Sequence, residues 1–295
     1  MGLIVEPVRA DFAGRLSGID IRQPVGVEVA APVIRALAQY PVCAIGHDEP
    51  PTDGQHVAFS ALLGPLERGP SPKIAGTGQR VPFNEIIDQS NLDQDGRIYR
   101  DDDRRLAYKR ANRLWHTDMS FYPVRATYSL LAAHEVPTRG ADTEFVDMRA
   151  VYDALPAAMK ERIGGLVAEH CYWHSRVLGG GPEPTAEERR SSPPARHSLV
   201  HVHAPSGRMA LYLASHVSAI VGWEVEEGRA LVRELMEFAT RPEFVYRHVW
   251  ARGDVLIWDN LCTMHRATEF DDTTYRRDMR RATCRETGVG IAGGR

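Results

Sequence analysis

The chain has 295 residues, 43% hydrophobic and 25% charged, the balance of an ordinary globular protein with a full core. Its formal charge of −3 gives no reason to expect nucleic acid or an anionic membrane as partner. No apolar run approaches the roughly 18 to 20 residues that span a bilayer, so a membrane protein is not expected.

Met1 to Pro7 lacks a basic stretch followed by an apolar one, so no secretory leader is read there and a cytoplasmic location is expected. Residues 3–25 read as short strands around Gly14 and Gly18, 31–40 as an amphipathic helix and 42–45 as a buried strand. Gln55 to Leu63 reads as a second helix, closed by Gly64 and Pro65. Glycines and prolines make 67–82 a long loop, and the charged run Asp101 to Arg105 reads as a solvated loop. Tyr128 to Val136 has the character of a core strand, and Met148 to Leu155 of a helix capped by Asp147. Residues 179–194 look irregular, as lids and binding loops do. Val225 to Ala239 is a helix with one apolar face; Val245–Trp250, Asp254–Trp258 and Arg280–Cys284 are strands. Many short strands with interspersed helices predict a mainly β fold with helical insertions, a β-sandwich or jelly-roll core, and residues 1–295 are read as a single domain. The four cysteines, Cys43, Cys171, Cys262 and Cys284, are too scattered for a C-x-x-C site and are expected as free thiols.

The chemical signal is His116-Thr117-Asp118, answered by His265 after Trp258-Asp259-Asn260. In an extended strand, residues two apart share a side, so His116 and Asp118 can grip one ion while Thr117 faces away. Two histidines and one carboxylate suit a non-haem Fe(II) that keeps positions open for a co-substrate and O₂.

Four further stretches repeat in order the motifs of a known family. They are Leu114 to Phe121, Asp142 to Pro156, Ala239 to His248, and Arg276 to Thr283. With these the chain resembles the taurine dioxygenase/2,4-dichlorophenoxyacetate dioxygenase family of Fe(II)- and 2-oxoglutarate-dependent oxygenases, most of all its aryloxyacetate branch. The resemblance implies a double-stranded β-helix with iron on His116, Asp118 and His265. It implies too that the far carboxylate of 2-oxoglutarate meets a threonine and an arginine. Thr143 lies 27 residues after His116, the family's spacing. For the arginine, counting from His265 lands on Arg276, whereas aligning the terminal Arg-Ala-Thr lands on Arg277. Arg277 is preferred, because Arg277, Met279 and Arg281 alternate onto one strand face, and a loop absorbs an inserted residue more readily than a strand changes face. Arg276 remains the alternative.

A guanidinium forks onto a carboxylate as lysine cannot, so two arginines four apart suit a site for two carboxylates. The family pattern gives the substrate's carboxylate to Arg281, with Lys73, His203 and His216 as further contacts; His201 stands where the family commonly has arginine. The implied reaction turns 2-oxoglutarate into succinate and CO₂. It oxidises the substrate carbon between ether oxygen and carboxylate, and the resulting hemiacetal collapses to a phenol and glyoxylate. The same chemistry on another aryloxyalkanoate, or on a sulfonate such as taurine, is the alternative. A metal-dependent hydrolase using His201, His203 and His216, or a jelly-roll binding protein without catalysis, are remoter ones. The expected partner is a small carboxylate; a homo-oligomer stays open.

Overall fold

The computed structural model describes residues 2–69 and 80–287. Its largest sheet contains Ile4–Arg9 (β1), Ala13–Ser17 (β2), Val42–Ile45 (β3), Ile87–Asp88 (β4), Ala126–Glu135 (β5), Val255–Asp259 (β13) and Asp278–Arg285 (β15). The spatial order is β1-β2-β3-β13-β5-β15-β4, antiparallel throughout except where β2 lies parallel to β3. A second sheet places Thr143–Asp147 (β6) between Val245–His248 (β12) and Thr263–Ala267 (β14). Val167–His170 (β7), Ala195–Ser198 (β8) and Val217–Ile220 (β11) form a third, and Val200–His203 (β9) pairs with Arg208–Leu211 (β10).

Alternation along the central strands builds two cores from one sheet. Cys43, Ile45, Leu130, Ala132, Val255 and Ile257 face one side, under the helices Ala30–Gln39 (α1) and Asp53–Ala61 (α2). Val42, Ala44, Leu131, Ala133, Leu256 and Trp258 face the other and pack against Phe145 of β6 and Tyr246 of β12. The large sheet and the β12-β6-β14 sheet are therefore the two layers of the jelly roll. A third core, including Leu231 and Leu235, gathers under the long helix Val225–Ala239 (α8).

Helix boundaries follow local chemistry. Thr52 and Gln55 form a capping box at the start of α2, and Asp147 caps Met148–Ala154 (α4) as its sequence position predicts. The charged run at 101–105 is not all loop: Asp103 accepts the Arg105 N–H and starts the helix Arg104–Arg110 (α3). Ala157–Ile163 (α5) and Tyr172–Leu178 (α6) are further helices, and the irregular stretch contains Ala186–Ser191 (α7), started by a Thr185/Glu188 capping box. Among the described residues no helix is long and apolar enough to cross a membrane.

Gly253 turns the chain into β13 with φ +92°, and a Cβ there would sit 2.2 Å from the His47 carbonyl oxygen. Gly253→Ala should therefore lower unfolding stability by at least about 1 kcal/mol in urea denaturation; an unchanged midpoint would refute the crowding. His56 and His170 are fully buried, and burial lowers their pKa values from 6.5 to about 4 and about 3. Below pH 6.5 the unfolded chain takes up protons that the folded one refuses, so this stability is complete above 6.5 and lost as pH falls towards 4. The urea midpoint should drop between about pH 7 and about pH 5; a flat profile would mean that the fold accepts these protons.

Candidate active site

The site lies where the two layers meet. His116 and His265 are tied by reciprocal backbone bonds, His116 N to His265 O at 2.9 Å and His265 N to His116 O at 2.8 Å. This bridge joins residue 116 to β14 and brings the two rings together, tilted at 47° with centroids 4.2 Å apart. The Thr117 hydroxyl turns away, donating to Leu213 O at 3.0 Å, so His116 and Asp118 share the opposite side as an extended H-x-D predicts. Directly after Asp118 the chain bends through Met119 at φ +56°, a conformation uncommon outside glycine.

His116 Nε2 stands 3.9 Å from Asp118 Oδ1, and His265 Nε2 stands 3.7 Å from Asp118 Oδ2. All three residues are buried. His116 Nδ1 bonds Leu114 O at 2.8 Å, which assigns its proton to that nitrogen and leaves a lone pair on Nε2. Burial lowers the His116 pKa to about 4 and holds His265 well below its ordinary value, so both rings are neutral at pH 7. Burial pushes the Asp118 carboxyl up, but the Arg281 charge, with the Ser129 hydrogen bond beside it, outweighs this and keeps the group ionised. Two neutral imidazoles and one carboxylate, with donor atoms within 4.8 Å of one another, are the donor set of a divalent iron site with open positions.

A hydrogen-bond chain holds the carboxylate. Asn260 Nδ2 donates to Ser129 Oγ at 2.9 Å, and Ser129 Oγ donates to Asp118 Oδ2 at 2.8 Å. The Asn260 amide oxygen accepts from Trp258 Nε1 at 3.0 Å and from the Asp118 backbone N–H at 3.3 Å. Arg281 Nη1 meets Asp118 Oδ1 directly.

Strand β15 and the two residues before it, Arg276 and Arg277, sort their arginines by side. Arg277 is buried, its Nη1 donating to Gln89 O at 3.3 Å while Nε has no partner. Arg281 reaches Asp118 from the same face. Arg276 is turned out to Glu135 at 2.9 Å, and Arg280 to Asp53 at 2.7 Å. Thr143, at the start of β6, is buried and accepts from Trp250 Nε1 at 3.0 Å.

His216 is also near: its ring lies 6.0 Å from that of His116 and 5.0 Å from Phe121, and its Nδ1 is unbonded. His203 is not available to a substrate, contrary to the expectation. Its Nδ1 bonds Ser206 Oγ at 2.7 Å and its Nε2 bonds Asp259 Oδ2 at 3.0 Å, in full burial. His203, Asp259 and Cys262 are close enough to hold a metal, but the histidine–aspartate bond already accounts for their meeting. No group of His201, His203 and His216 capable of holding a metal occurs among the described residues. Lys73 lies outside them. The structure adds residues that sequence reading passed over: Ser129, Trp250 and a buried Arg176 on α6. None carries a local motif; Asn260 did fall within a recognised Trp-Asp-Asn.

Comparison with known proteins agrees with this geometry. Residues 5–283 match the family described as "Taurine catabolism dioxygenase TauD, TfdA family". The chain is 39% identical over 289 residues to the alpha-ketoglutarate-dependent 2,4-dichlorophenoxyacetate dioxygenase of Cupriavidus pinatubonensis, covering 98% of this chain and all of that one. It is 32% identical to the (S)-phenoxypropionate/alpha-ketoglutarate-dioxygenase of Sphingobium herbicidovorans, covering 92% and 91% of the two chains. Among solved structures, AAD-2 in complex with Mn(II) and N-oxalylglycine superposes with a TM-score of 0.90 at 40% identity, covering 97% of this chain and 99% of AAD-2. A double-stranded β-helix fold, a His-Asp-His group and a match along nearly the whole chain make this protein a member of the TauD/TfdA family of Fe(II)- and 2-oxoglutarate-dependent dioxygenases.

Proposed function

We propose that this dioxygenase oxidises an aryloxyacetate such as 2,4-dichlorophenoxyacetate to a phenol and glyoxylate, with succinate and CO₂ formed from 2-oxoglutarate. The observation that carries the reading is the pair of buried guanidiniums of Arg277, just before β15, and Arg281, on it, the latter meeting Asp118 of the His116/Asp118/His265 group. A site that must hold two carboxylates, one of the co-substrate and one of the substrate, calls for two such forks. The names of the relatives from Cupriavidus and Sphingobium support the substrate class, the second favouring an aryloxypropionate as the nearest alternative. Taurine, a sulfonate, is the further one.

In this reading His116, Asp118 and His265 hold iron. Bound there, Fe(II) supplies the dioxygen chemistry that couples decarboxylation of 2-oxoglutarate to oxidation of the substrate. The protein's residues do the positioning. The Ser129–Asn260 pair fixes the Asp118 carboxylate, and the Leu114 carbonyl keeps His116 Nε2 unprotonated. Thr143 and Arg277 take the far carboxylate of 2-oxoglutarate; Arg276, already paired with Glu135, is the poorer candidate. Arg281 takes the substrate carboxylate, with His216 on the pocket wall; Lys73 is retained as a further basic contact. Phe121, Tyr172, Trp173 and Tyr108 pack together beside His216, an aromatic wall suited to excluding water and lining an aryl group. Residues 1–295 are taken as one catalytic domain.

An anaerobic titration with Fe(II) and 2-oxoglutarate, then O₂ with aryloxyacetates, aryloxypropionates and taurine, tests the reading. Succinate with a matching phenol is expected from aryloxyacetates. Succinate unaccompanied by any phenol would reject the substrate, and no metal-to-ligand absorption band would reject the iron assignment. His116→Ala and Asp118→Ala should each abolish turnover; full activity with iron retained would overturn the ligand set. Arg281→Ala should raise the substrate KM by about tenfold or more while leaving the co-substrate KM unchanged, and an unaltered substrate KM would remove Arg281 from this role.

A further inference from the structure

Arg176 is a buried cation to which the proposed reaction gives no task. It is 7% exposed, and it sits on α6 four residues after Tyr172, so the two share a helix face. Its guanidinium lies 4.9 Å from the centroid of the Tyr172 ring. Nη1 donates to Tyr108 O at 2.7 Å and to Asn112 Oδ1 at 3.2 Å, both neutral acceptors, while the buried Nε has no partner. Asn112 Nδ2 in turn bonds Gln89 Oε1 at 3.0 Å, and the Gln89 carbonyl receives Arg277, so the same polar thread steadies both guanidiniums.

Arg176, like Arg277, lacks a counter-charge. The buried Arg149 and the partly buried Arg80 and Arg125 are paired with carboxylates. Arg149 meets Asp147 at 2.9 Å, Arg80 meets Asp278 at 2.6 Å, and Arg125 meets Glu286 at 2.7 Å. Among the described residues no carboxylate comes within ion-pair distance of Arg176 or of Arg277. A buried charge left without a counter-ion is strongly unfavourable, so a fold that pairs its structural arginines and leaves these two unpaired reserves them for anions that arrive. Arg277 is matched to 2-oxoglutarate, which leaves Arg176. The Tyr172 ring beneath its guanidinium lies 5.0 Å from Phe121, Phe121 lies 5.0 Å from His216, and His216 lies 6.0 Å from His116, so Arg176 stands on the His216 side of the metal group.

We propose that Arg176 and Arg281 form a two-guanidinium clamp for the anionic group of the organic substrate, with Arg176 entering from the aromatic wall of Phe121 and Tyr172. The proposal rests on the reading that the substrate is a small organic anion and names a second residue that recognises it. Arg281 also faces the Asp118 carboxylate, whereas Arg176 has only neutral acceptors, so Arg176 contributes the more selective share of anion affinity.

The test measures binding of phenoxyacetate and of neutral phenoxyacetamide to the full-length Fe(II)/N-oxalylglycine complex, in wild type, Arg176→Gln and Arg176→Lys, alongside steady-state KM values. Arg176→Gln should weaken phenoxyacetate by about tenfold or more, Arg176→Lys by less, and neither should change phenoxyacetamide binding or the co-substrate KM. Equal losses for acid and amide, or none for either, would overturn the clamp. Should the glutamine variant not fold, the lysine variant reads the same acid-versus-amide difference, because it keeps the charge and loses the fork. If the wild type binds no aryloxyacetate, the substrate reading has failed, and the same variants measured on taurine decide the arginine's role. No affinity for either anion overturns both.

Discussion

Everything at the site converges on the buried carboxylate of Asp118. A carboxylate at 3% exposure survives as an anion only if its oxygens are met by donors and positive charge. Here they are met from two neighbouring strands: Ser129 from β5 and Arg281 from β15. Asn260, just beyond β13, supports Ser129 and accepts the Asp118 amide. In the sheet register Ser129 lies opposite both Trp258 and Thr283. A slip of one residue in any of these strands would turn its inward side chain to the other face and dismantle the arrangement. The long sheet is thus the device that sets the carboxylate's geometry, and its two apolar cores hold that register in place.

The small sheet contributes the other half. β14 lies beside β6, and the backbone bridge from His265 to His116 brings residues 149 positions apart to ring contact. Phe145 and Trp258 pack around His265, with ring centroids 5.8 and 4.8 Å from the imidazole. That packing both orients the ring and removes the water that would stabilise its protonated form. A neutral, oriented imidazole is what a metal requires, so burial and ligand chemistry act in the same direction.

The arginines divide along the same physical line. Those with a structural task carry their own carboxylate, as Arg149 does with Asp147, and a fixed pair needs nothing from outside. The unpaired ones, Arg176 behind the aromatic wall beside His216 and Arg277 just before β15, are those that the proposed function and the proposed clamp assign to arriving anions. In the proposed clamp, a cation held without a counter-ion would favour the liganded state of the enzyme over the free one and so link charge burial to selectivity for acids.

Much of this was legible in the chain. The i, i+2 spacing of His116 and Asp118 and the alternation of Arg277, Met279 and Arg281 are local properties of extended backbone, and the inward and outward sides of β15 follow that alternation. Asp147 as a cap and the single apolar face of α8 were equally local. Short helices such as α5 and α6 were not legible, because helices of one or two turns form by docking rather than by propensity. His203 shows the limit from the other side: matching a sequence position could not reveal that Ser206 and Asp259 already occupy both its nitrogens. Nor could any pattern show that Arg176 lacks a carboxylate, since that depends on which distant residues fail to come near. The sequence by itself determined the donor types, their spacing and the side of each strand on which they stand. Only the tertiary structure decided which strands pair and which buried charges find partners, because those contacts join residues far apart in the chain, and no local preference encodes them.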